Sequence, residues 1–316
     1  MSSLIEKAAQ RLEQLRQAGV DLGPAAEPSA PVRAAQPAPA MAPAVPAKPV
    51  PVSVSKLVQL DLSGLAASGF VTPNAPRAAI ADQFRVIKRP LLDNAMGKGA
   101  AVVVNGNLIM VTSAMPGEGK SFTALNLALS MAMELDYTVL LVDADVARPS
   151  LNKTLGLPPG PGLLDLLVDD SLDMSQALLR TNVDKLTLLP SGTPHPRATE
   201  LLASDAMTAL VEEMGRRYAD RVIVFDSPPL LLTTEARVLA THMGQIVVVV
   251  QAEKTLQSQV QHALSTIEAC PVKMVVLNQA RGGDQDAYGY GYGYGFGYGQ
   301  SASQAAASNV PVSSAP

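Results

Sequence analysis

The sequence has no tryptophan, and aromatic residues make up only 4% of its 316 residues. Its hydrophobic content of 47% therefore consists mainly of alanine, valine and leucine, arranged in short runs. This composition favours an α/β interior over a β-sandwich or a jelly roll. The length is enough for one ordinary domain with extensions.

Three further features are scarce: positive charge, cysteine and long hydrophobic runs. A formal net charge of −4 excludes the electrostatic footprint of a general nucleic-acid binder, so we expect no nucleic-acid partner. The single Cys270 excludes an intrachain disulfide, and the first residues lack a secretory pattern, so we expect a cytoplasmic protein. No apolar run approaches the roughly 20 residues of a membrane-spanning helix. Any membrane recruitment would therefore need a partner.

Changes in composition divide the chain into four predicted parts. Residues 1–20 place apolar side chains at helical spacing and predict a short amphipathic helix. Residues 21–76 predict a Pro/Ala-rich linker and disordered segment, because such a composition cannot bury a core. Residues 77–281 predict the folded domain, and residues 282–316 a flexible tail rich in tyrosine and glycine.

Within the predicted domain, apolar runs alternate with stretches of helical spacing. The runs predict buried strands at residues 108–112, 139–142, 186–189, 222–225, 246–250 and 274–277. Helices are predicted at residues 78–96, where Pro90 breaks the pattern near its end, and at 121–135, 199–218, 234–242 and 255–269. This alternation predicts an α/β fold with a mainly parallel sheet and helices on both faces. Ligands of such sheets bind at the carboxyl ends of the strands.

A phosphate-binding loop is predicted at residues 114–121, between a strand and a helix. Its small residues let backbone N–H groups turn inward, Lys120 can reach the β- and γ-phosphates, and the Ser121 hydroxyl can bind Mg²⁺. A chance glycine turn is the alternative, because Ala114 stands where the strict pattern has glycine. We expect ATP and Mg²⁺ as cofactors, with nucleotide contacts from Pro116, Gly117, Glu118, Gly119, Lys120, Ser121, Phe122 and Asn278.

Carboxylates follow two other predicted strands. Asp143 and Asp145 point to the same side of an extended chain, and Asp226 ends a hydrophobic strand in the Walker B manner. Together with the hydroxyl of the phosphate loop, these carboxylates predict a metal site with the ligands Ser121, Asp143 and Asp226. The alternative is that the aspartates only cap turns and helices. Asn278 has two interpretations that the spacing leaves equally open. Its side-chain amide could bind the edge of an adenine base, or it could be an ordinary polar residue at a strand end.

Five of the seven tyrosines lie in the glycine-alternating tail. Because the chain also has a predicted nucleotide site, this concentration of tyrosines suggests that their hydroxyls accept phosphoryl groups. The alternative is a low-complexity tail that makes non-specific contacts. Ten extended residues beyond Asn278 span up to about 35 Å, which reaches a neighbouring subunit. The predicted acceptors are Tyr288, Tyr290, Tyr292, Tyr294 and Tyr298.

These motifs, in this order over residues 78–298, resemble a bacterial tyrosine autokinase (BY-kinase) of the stand-alone cytoplasmic type associated with exosortase-type exopolysaccharide loci. The resemblance rests on Walker A at 113–121, Walker A′ at 140–145, Walker B at 222–229, the runs 189–192 and 200–204, and the tyrosine cluster. It implies a P-loop kinase domain of the deviant-Walker, ParA/MinD-like group at 77–281. It also implies phosphorylation of the tail in trans.

The resemblance further implies several partners and roles. A membrane polysaccharide co-polymerase would activate the kinase and recruit it to the inner face of the cell membrane, where exopolysaccharide synthesis is regulated. A ring-like homo-oligomer would form through Asp82, Arg85 and Lys88, and a cognate phosphatase would reverse the modification. Lys120, Asp143 and Asp145 would be catalytic, with either aspartate as the general base.

Two alternatives remain open at the level of sequence. A ParA/MinD-like ATPase switch shares the fold, but it usually carries an extra lysine early in the loop, where this chain has Met115. A nucleotide-binding adaptor without kinase turnover would use the Pro/Ala linker and the tail to recruit partners.

Overall fold

The computed structural model describes residues 55–74, 79–217 and 221–280. Eight strands are present in this part of the chain: β1 (Lys56–Val58), β2 (Leu108–Ser113), β3 (Thr138–Asp143), β4 (Leu179–Thr181), β5 (Leu186–Leu189), β6 (Arg221–Asp226), β7 (Gln245–Gln251) and β8 (Val272–Asn278). The helices are α1 (Leu62–Ala67), α2 (Ala79–Ala95), α3 (Lys120–Ala132), α4 (Leu151–Leu155), α5 (Leu163–Val168), α6 (Met174–Ala177), α7 (Ala198–Leu202), α8 (Asp205–Arg217), α9 (Glu235–Ala240) and α10 (Gln257–Ser265).

All eight strands form one sheet in the order β1-β4-β5-β3-β6-β2-β7-β8. Every neighbouring pair is parallel except β4 and β5. The predicted fold class and all six predicted strands are confirmed. Two strands of three residues each, β1 and β4, were not predicted, because so short a run carries no periodic signal.

Helices cover both faces of the sheet. Successive side chains of each strand point to opposite faces, so each strand contributes to two cores. Leu108 and Met110 belong to a core formed with α5–α10, whereas Ile109 and Val111 belong to a second core formed with α1–α4. The central strands are therefore buried on both faces, which explains their continuous runs of valine, isoleucine and leucine.

The prediction of a linker and disordered segment at 21–76 is wrong for residues 55–74, which form β1, α1 and buried connections. The side chain of Asn182 brackets Leu60, accepting from its N–H at 2.8 Å and donating to its carbonyl at 3.1 Å. Asn126 accepts from the Val71 N–H at 2.6 Å. These partners lie far away in sequence, so local composition does not reveal them. The predicted helix at 1–20 lies outside the described residues.

Two helix predictions also needed correction. Helix α2 continues through Pro90, because the following Leu91 and Leu92 are fully buried and hold the last turn against the core. The single helix predicted at 199–218 is two helices, α7 and α8, separated at Ser204. The Ser204 hydroxyl donates to the Leu201 carbonyl at 2.7 Å and accepts from the Met207 N–H at 3.3 Å, ending one helix and capping the next. Within the described ranges, no helix is both long and apolar enough to span a membrane.

Candidate active site

The phosphate-binding loop leaves the carboxyl end of β2, which lies between β6 and β7, and leads directly into α3. Gly117 and Gly119 have φ values of 85° and 94°, in the left-handed region that favours glycine. A Cβ on Gly119 would also lie 2.0 Å from Nδ2 of Asn278. Both the backbone conformation and this close approach therefore require glycine at position 119.

Glu118 turns its side chain into the loop rather than toward solvent, and only 3% of the residue is exposed. Its Oε2 accepts from the Met115 N–H at 2.8 Å, and its Oε1 accepts from the Thr255 hydroxyl. The same hydroxyl accepts from the Gln251 N–H at 3.0 Å. The sequence did not single out Thr255, since it lies in the connection after β7 and belongs to no motif.

Asn278, the last residue of β8, donates from Nδ2 to the Glu118 carbonyl at 2.9 Å. Its amide thus supports the phosphate loop from a third strand end. Recognition of adenine by Asn278 stays a prediction, since the contact with the loop uses only one donor of the amide. The Phe122 ring packs against Phe70 with ring centroids 4.9 Å apart, and a nucleotide contact at Phe122 stays a prediction.

Asp143 and Asp226 end the neighbouring strands β3 and β6 and lie directly opposite each other in the parallel register. Both are fully buried, and neither carboxylate has a hydrogen bond of good geometry to a described residue. Burial and the charges of Asp226 and Asp145 raise the pKa of Asp143 to about 8. Burial raises the pKa of Asp226 to about 6, against the opposing effects of the Lys120 charge and the nearby Ser121 hydroxyl.

Two adjacent buried carboxylates, neither of them in an ion pair with a described residue, fit a divalent cation, whose charge offsets the cost of ionising them. Oxygen ligands are also the type that Mg²⁺ prefers, and it usually takes the rest of its shell from water and phosphate. The predicted metal ligands Ser121, Asp143 and Asp226 are thus brought together at one end of the sheet.

Asp145 has a different environment from the other two carboxylates. Its Oδ2 lies 2.5 Å from Nζ of Lys120, in a largely buried ion pair. The ammonium group of the phosphate loop is therefore held directly beside the acidic strand ends. The three aspartates form one acidic cluster, in which Asp145 is the member paired with a cation.

Two pockets flank the loop on opposite sides of β2. The first, on the β3/β6 side, is lined by Lys120, Asp145, Ala147, Arg148 and apolar residues of the loop after β6. The second, on the β7/β8 side, is lined by Phe122, Thr123, Asn278, Gln279 and one face of α2. The strand order β3-β6-β2-β7-β8 separates the two pockets, with the phosphate loop between them.

Comparison with known proteins agrees with this arrangement. A family model described as an AAA domain matches residues 106–277, more than half of the chain. The tyrosine-protein kinase YwqD of Bacillus subtilis is 33% identical over 216 residues, which cover 68% of this chain and 87% of that protein. The chain belongs to the bacterial tyrosine-protein kinase family. The putative tyrosine-protein kinase CapB of Staphylococcus aureus is 29% identical over 206 residues, 65% of this chain and 86% of its own length.

Solved structures of the tyrosine-kinase family share the fold. The crystal structure of the chimerical protein CapA2B2 superposes with a TM-score of 0.56 at 29% identity, covering 71% of this chain and 92% of that one. The BceF tyrosine kinase domain gives a TM-score of 0.52 at 25% identity, covering 70% and 91% of the two chains. The resemblance inferred from the motifs is confirmed.

One residue assigned to ring assembly by the family resemblance is placed differently. Lys88 is 3% exposed, its Nζ lies 2.7 Å from Glu134 Oε1, and it donates to the Ser130 carbonyl at 2.6 Å. The assignment of Lys88 to a subunit contact is therefore wrong, because the side chain is buried within its own chain. Asp82 and Arg85 form an ion pair on the exposed face of α2, and their role in assembly stays a prediction.

Arg148 lines the first pocket together with Ala147. An arginine is therefore present at the pocket that Lys120 and Asp145 also line. The predicted acceptors Tyr288, Tyr290, Tyr292, Tyr294 and Tyr298 lie outside the described residues.

Proposed function

We propose that this chain is an Mg–ATP-dependent protein-tyrosine autokinase that phosphorylates its own C-terminal tyrosine cluster in trans. The proposal rests mainly on one observation: the phosphate-loop lysine is paired with Asp145, next to the buried carboxylates of Asp143 and Asp226. Family membership and the concentration of tyrosines after the last strand support it. The names of two relatives, the putative tyrosine-protein kinase CapB and the tyrosine-protein kinase CpsD, support a tyrosine-kinase activity.

Each residue of the cluster receives a distinct role in this proposal. The backbone N–H groups of residues 117–121 and the Lys120 ammonium bind the phosphates. Ser121, Asp143 and Asp226 hold Mg²⁺, which when bound neutralises the charge that develops on the phosphates. Asp145 accepts the proton of the tyrosine hydroxyl, since Asp143 and Asp226 form the pair suited to the metal.

Phosphate binding would also change the ion pair of Lys120. When the ammonium turns to the phosphates, the Asp145 carboxylate leaves its ion pair with Lys120 and can contact the tyrosine hydroxyl. The loop itself needs no rearrangement, because Glu118, Thr255 and Asn278 already hold it from two other strand ends. We place the adenosine on the β7/β8 side, in the pocket beside Asn278.

The proposed biological role is regulation of exopolysaccharide synthesis at the inner face of the cell membrane. A membrane polysaccharide co-polymerase would activate and recruit the kinase, a homo-oligomeric ring would present each tail to a neighbouring site, and a cognate phosphatase would reset it. Each phosphorylated tyrosine adds about −1.5 to −2 charges. A filled tail is therefore repelled by the acidic cluster, which favours release of the ring.

The decisive experiment is tandem mass spectrometry of the tail after the purified full chain is incubated with Mg–ATP. Phosphate on Tyr288–Tyr298 in the wild type and its absence in Lys120→Met would support the proposal. Lys98→Met is the matched control, because Lys98 is an exposed lysine in the connection before β2, at the opposite edge of the sheet. An unmodified tail with continued ATP hydrolysis would instead favour an ATPase switch.

A further inference from the structure

The first pocket has an apolar wall directly beside the carboxylate that is paired with Lys120. Its lining includes Pro116 from the phosphate loop and Pro228, Pro229 and Leu232 from the connection after β6. Leu232 is 58% exposed, although it lines the same pocket as the charged side chains of Lys120 and Asp145. Nucleotide phosphates, a metal ion and water gain nothing from such a wall, so it indicates a further ligand with an apolar surface.

Hydrogen bonds hold the segment that forms this wall in place. The N–H groups of Leu230 and Leu231 donate to the carbonyls of Ser113 and Ala114, at 2.9 and 3.3 Å. The side chain of Arg237 donates from Nε to the Leu230 carbonyl at 2.9 Å, and the Thr233 hydroxyl donates to the Pro229 carbonyl at 3.0 Å. The connection after β6 is thus fastened to the strand and loop that carry the phosphate site.

We propose that Pro116, Pro229 and Leu232 form the acceptor pocket, in which the aromatic ring of a tail tyrosine packs while its hydroxyl points to Asp145. This inference rests on the proposed function. It assigns to Leu232 the selection of a phenol over an aliphatic hydroxyl. A tyrosine ring fills an apolar wall and keeps its hydroxyl at the polar end. A serine side chain is too short to contact the wall when its oxygen lies near Asp145.

The chemical step balances within this arrangement. The phenolic oxygen forms a bond to the γ-phosphorus of ATP as the bond between that phosphorus and the β,γ-bridging oxygen breaks. The phenol proton passes to the Asp145 carboxylate, and ADP leaves with the electron pair of the broken bond. Leu232 takes no part in bond making and acts as a specificity-determining residue.

The two pockets lie on opposite sides of the phosphate loop, so a change at Leu232 should leave nucleotide binding intact. The test uses the full chain, Mg–ATP and a synthetic peptide with the sequence of residues 286–299. We expect Leu232→Ala to raise the KM for this peptide by about fivefold to tenfold, the size of effect typical of a lost apolar contact in a pocket. The KM for ATP should not change, and Leu232→Met should restore the wild-type value.

Leu135→Ala is the matched control, since Leu135 is 86% exposed and follows α3 at the opposite edge of the sheet. A second peptide with serine in place of tyrosine measures selectivity. Leu232→Ala should lower the ratio of kcat/KM for the tyrosine peptide to kcat/KM for the serine peptide. The pocket assignment is overturned if Leu232→Ala matches the wild type, or if it weakens ATP and peptide equally. If the wild type modifies no tyrosine at all, the proposed function itself fails, whatever the Leu232 variants do.

Discussion

Asp143 and Asp226 lie opposite each other where β3 and β6 end, both fully buried and both without a well-formed hydrogen bond to the residues that the structure describes. Strand register alone brings them together, because parallel neighbours end at the same edge of the sheet. Two carboxylates in this position destabilise the chain unless a proton or a cation neutralises them. Stability, metal binding and pH dependence are therefore linked through this one pair.

Removal of one carboxylate of the pair should stabilise the cation-free protein. We expect Asp226→Asn to raise its unfolding free energy by about 1 kcal/mol, or its Tm by about 2–4 °C, because a buried charge is removed. The same variant should lose most of the stabilisation that Mg–ADP gives to the wild type. Thermal unfolding with and without Mg–ADP measures both effects, and Asp184→Asn, at an exposed aspartate, is the control. A wild-type response to Mg–ADP in Asp226→Asn would remove Asp226 from the metal site.

The raised pKa of Asp143 predicts how stability changes with pH in the absence of divalent cations. The folded state keeps a proton on Asp143 up to about pH 8, whereas the unfolded state loses it near pH 4. The native state therefore binds more protons between these values, and this contribution to stability falls as the pH rises from about 4 to 8. Urea unfolding at several pH values in EDTA should show a flatter profile for Asp143→Asn than for the wild type. Parallel profiles would show that Asp143 ionises normally.

The hydroxyl of Thr255 should be needed for the shape of the phosphate loop. Thr255→Val leaves the buried Glu118 carboxylate without one of its donors, at a cost of about 1–3 kcal/mol, and should weaken ATP binding as well. Thr255→Ser keeps the hydroxyl and should restore both properties. Urea unfolding and equilibrium nucleotide binding are the measurements. Thr241→Val, at an exposed threonine in the turn after α9, controls for loss of a hydroxyl in general. Wild-type ATP affinity in Thr255→Val would contradict this role.

Lys88 and Arg85 should affect different properties, although both lie on α2. Lys88→Ala removes a buried cation from Glu134 on the neighbouring segment and should lower the unfolding free energy by about 2–4 kcal/mol. Arg89→Ala, which removes the more exposed partner of the same glutamate, should cost less than about 1 kcal/mol.

Arg85→Ala should leave stability nearly unchanged and reduce the mass of the particle in solution, if the exposed face of α2 forms the subunit contact. Light scattering coupled to size-exclusion chromatography measures that mass. The idea of assembly through Arg85 fails if the mass equals that of the wild type.

Local sequence determined the parts of this protein whose signals lie within one strand, turn or helix. The phosphate loop could be predicted because its glycines, Lys120 and Ser121 are adjacent in sequence and flanked by a strand and a helix. Asp143 and Asp226 could be predicted because each ends an apolar strand of six residues. The parallel sheet followed from the alternation of such strands with helices, and parallel topology then placed the acidic residues at one edge.

Tertiary structure decided the features that depend on partners far away in the chain. β1 pairs with β4 although about 120 residues separate them, and Thr255 reaches Glu118 across 137 positions. Lys88 is buried because α2 packs against the segment that carries Glu134. The position of Lys88 in the helical pattern did not reveal this burial. The position of Leu232 beside Asp145 likewise depends on how the connection after β6 is fastened to β2. Periodicity records which face of an element is apolar, but only packing selects which residues meet there.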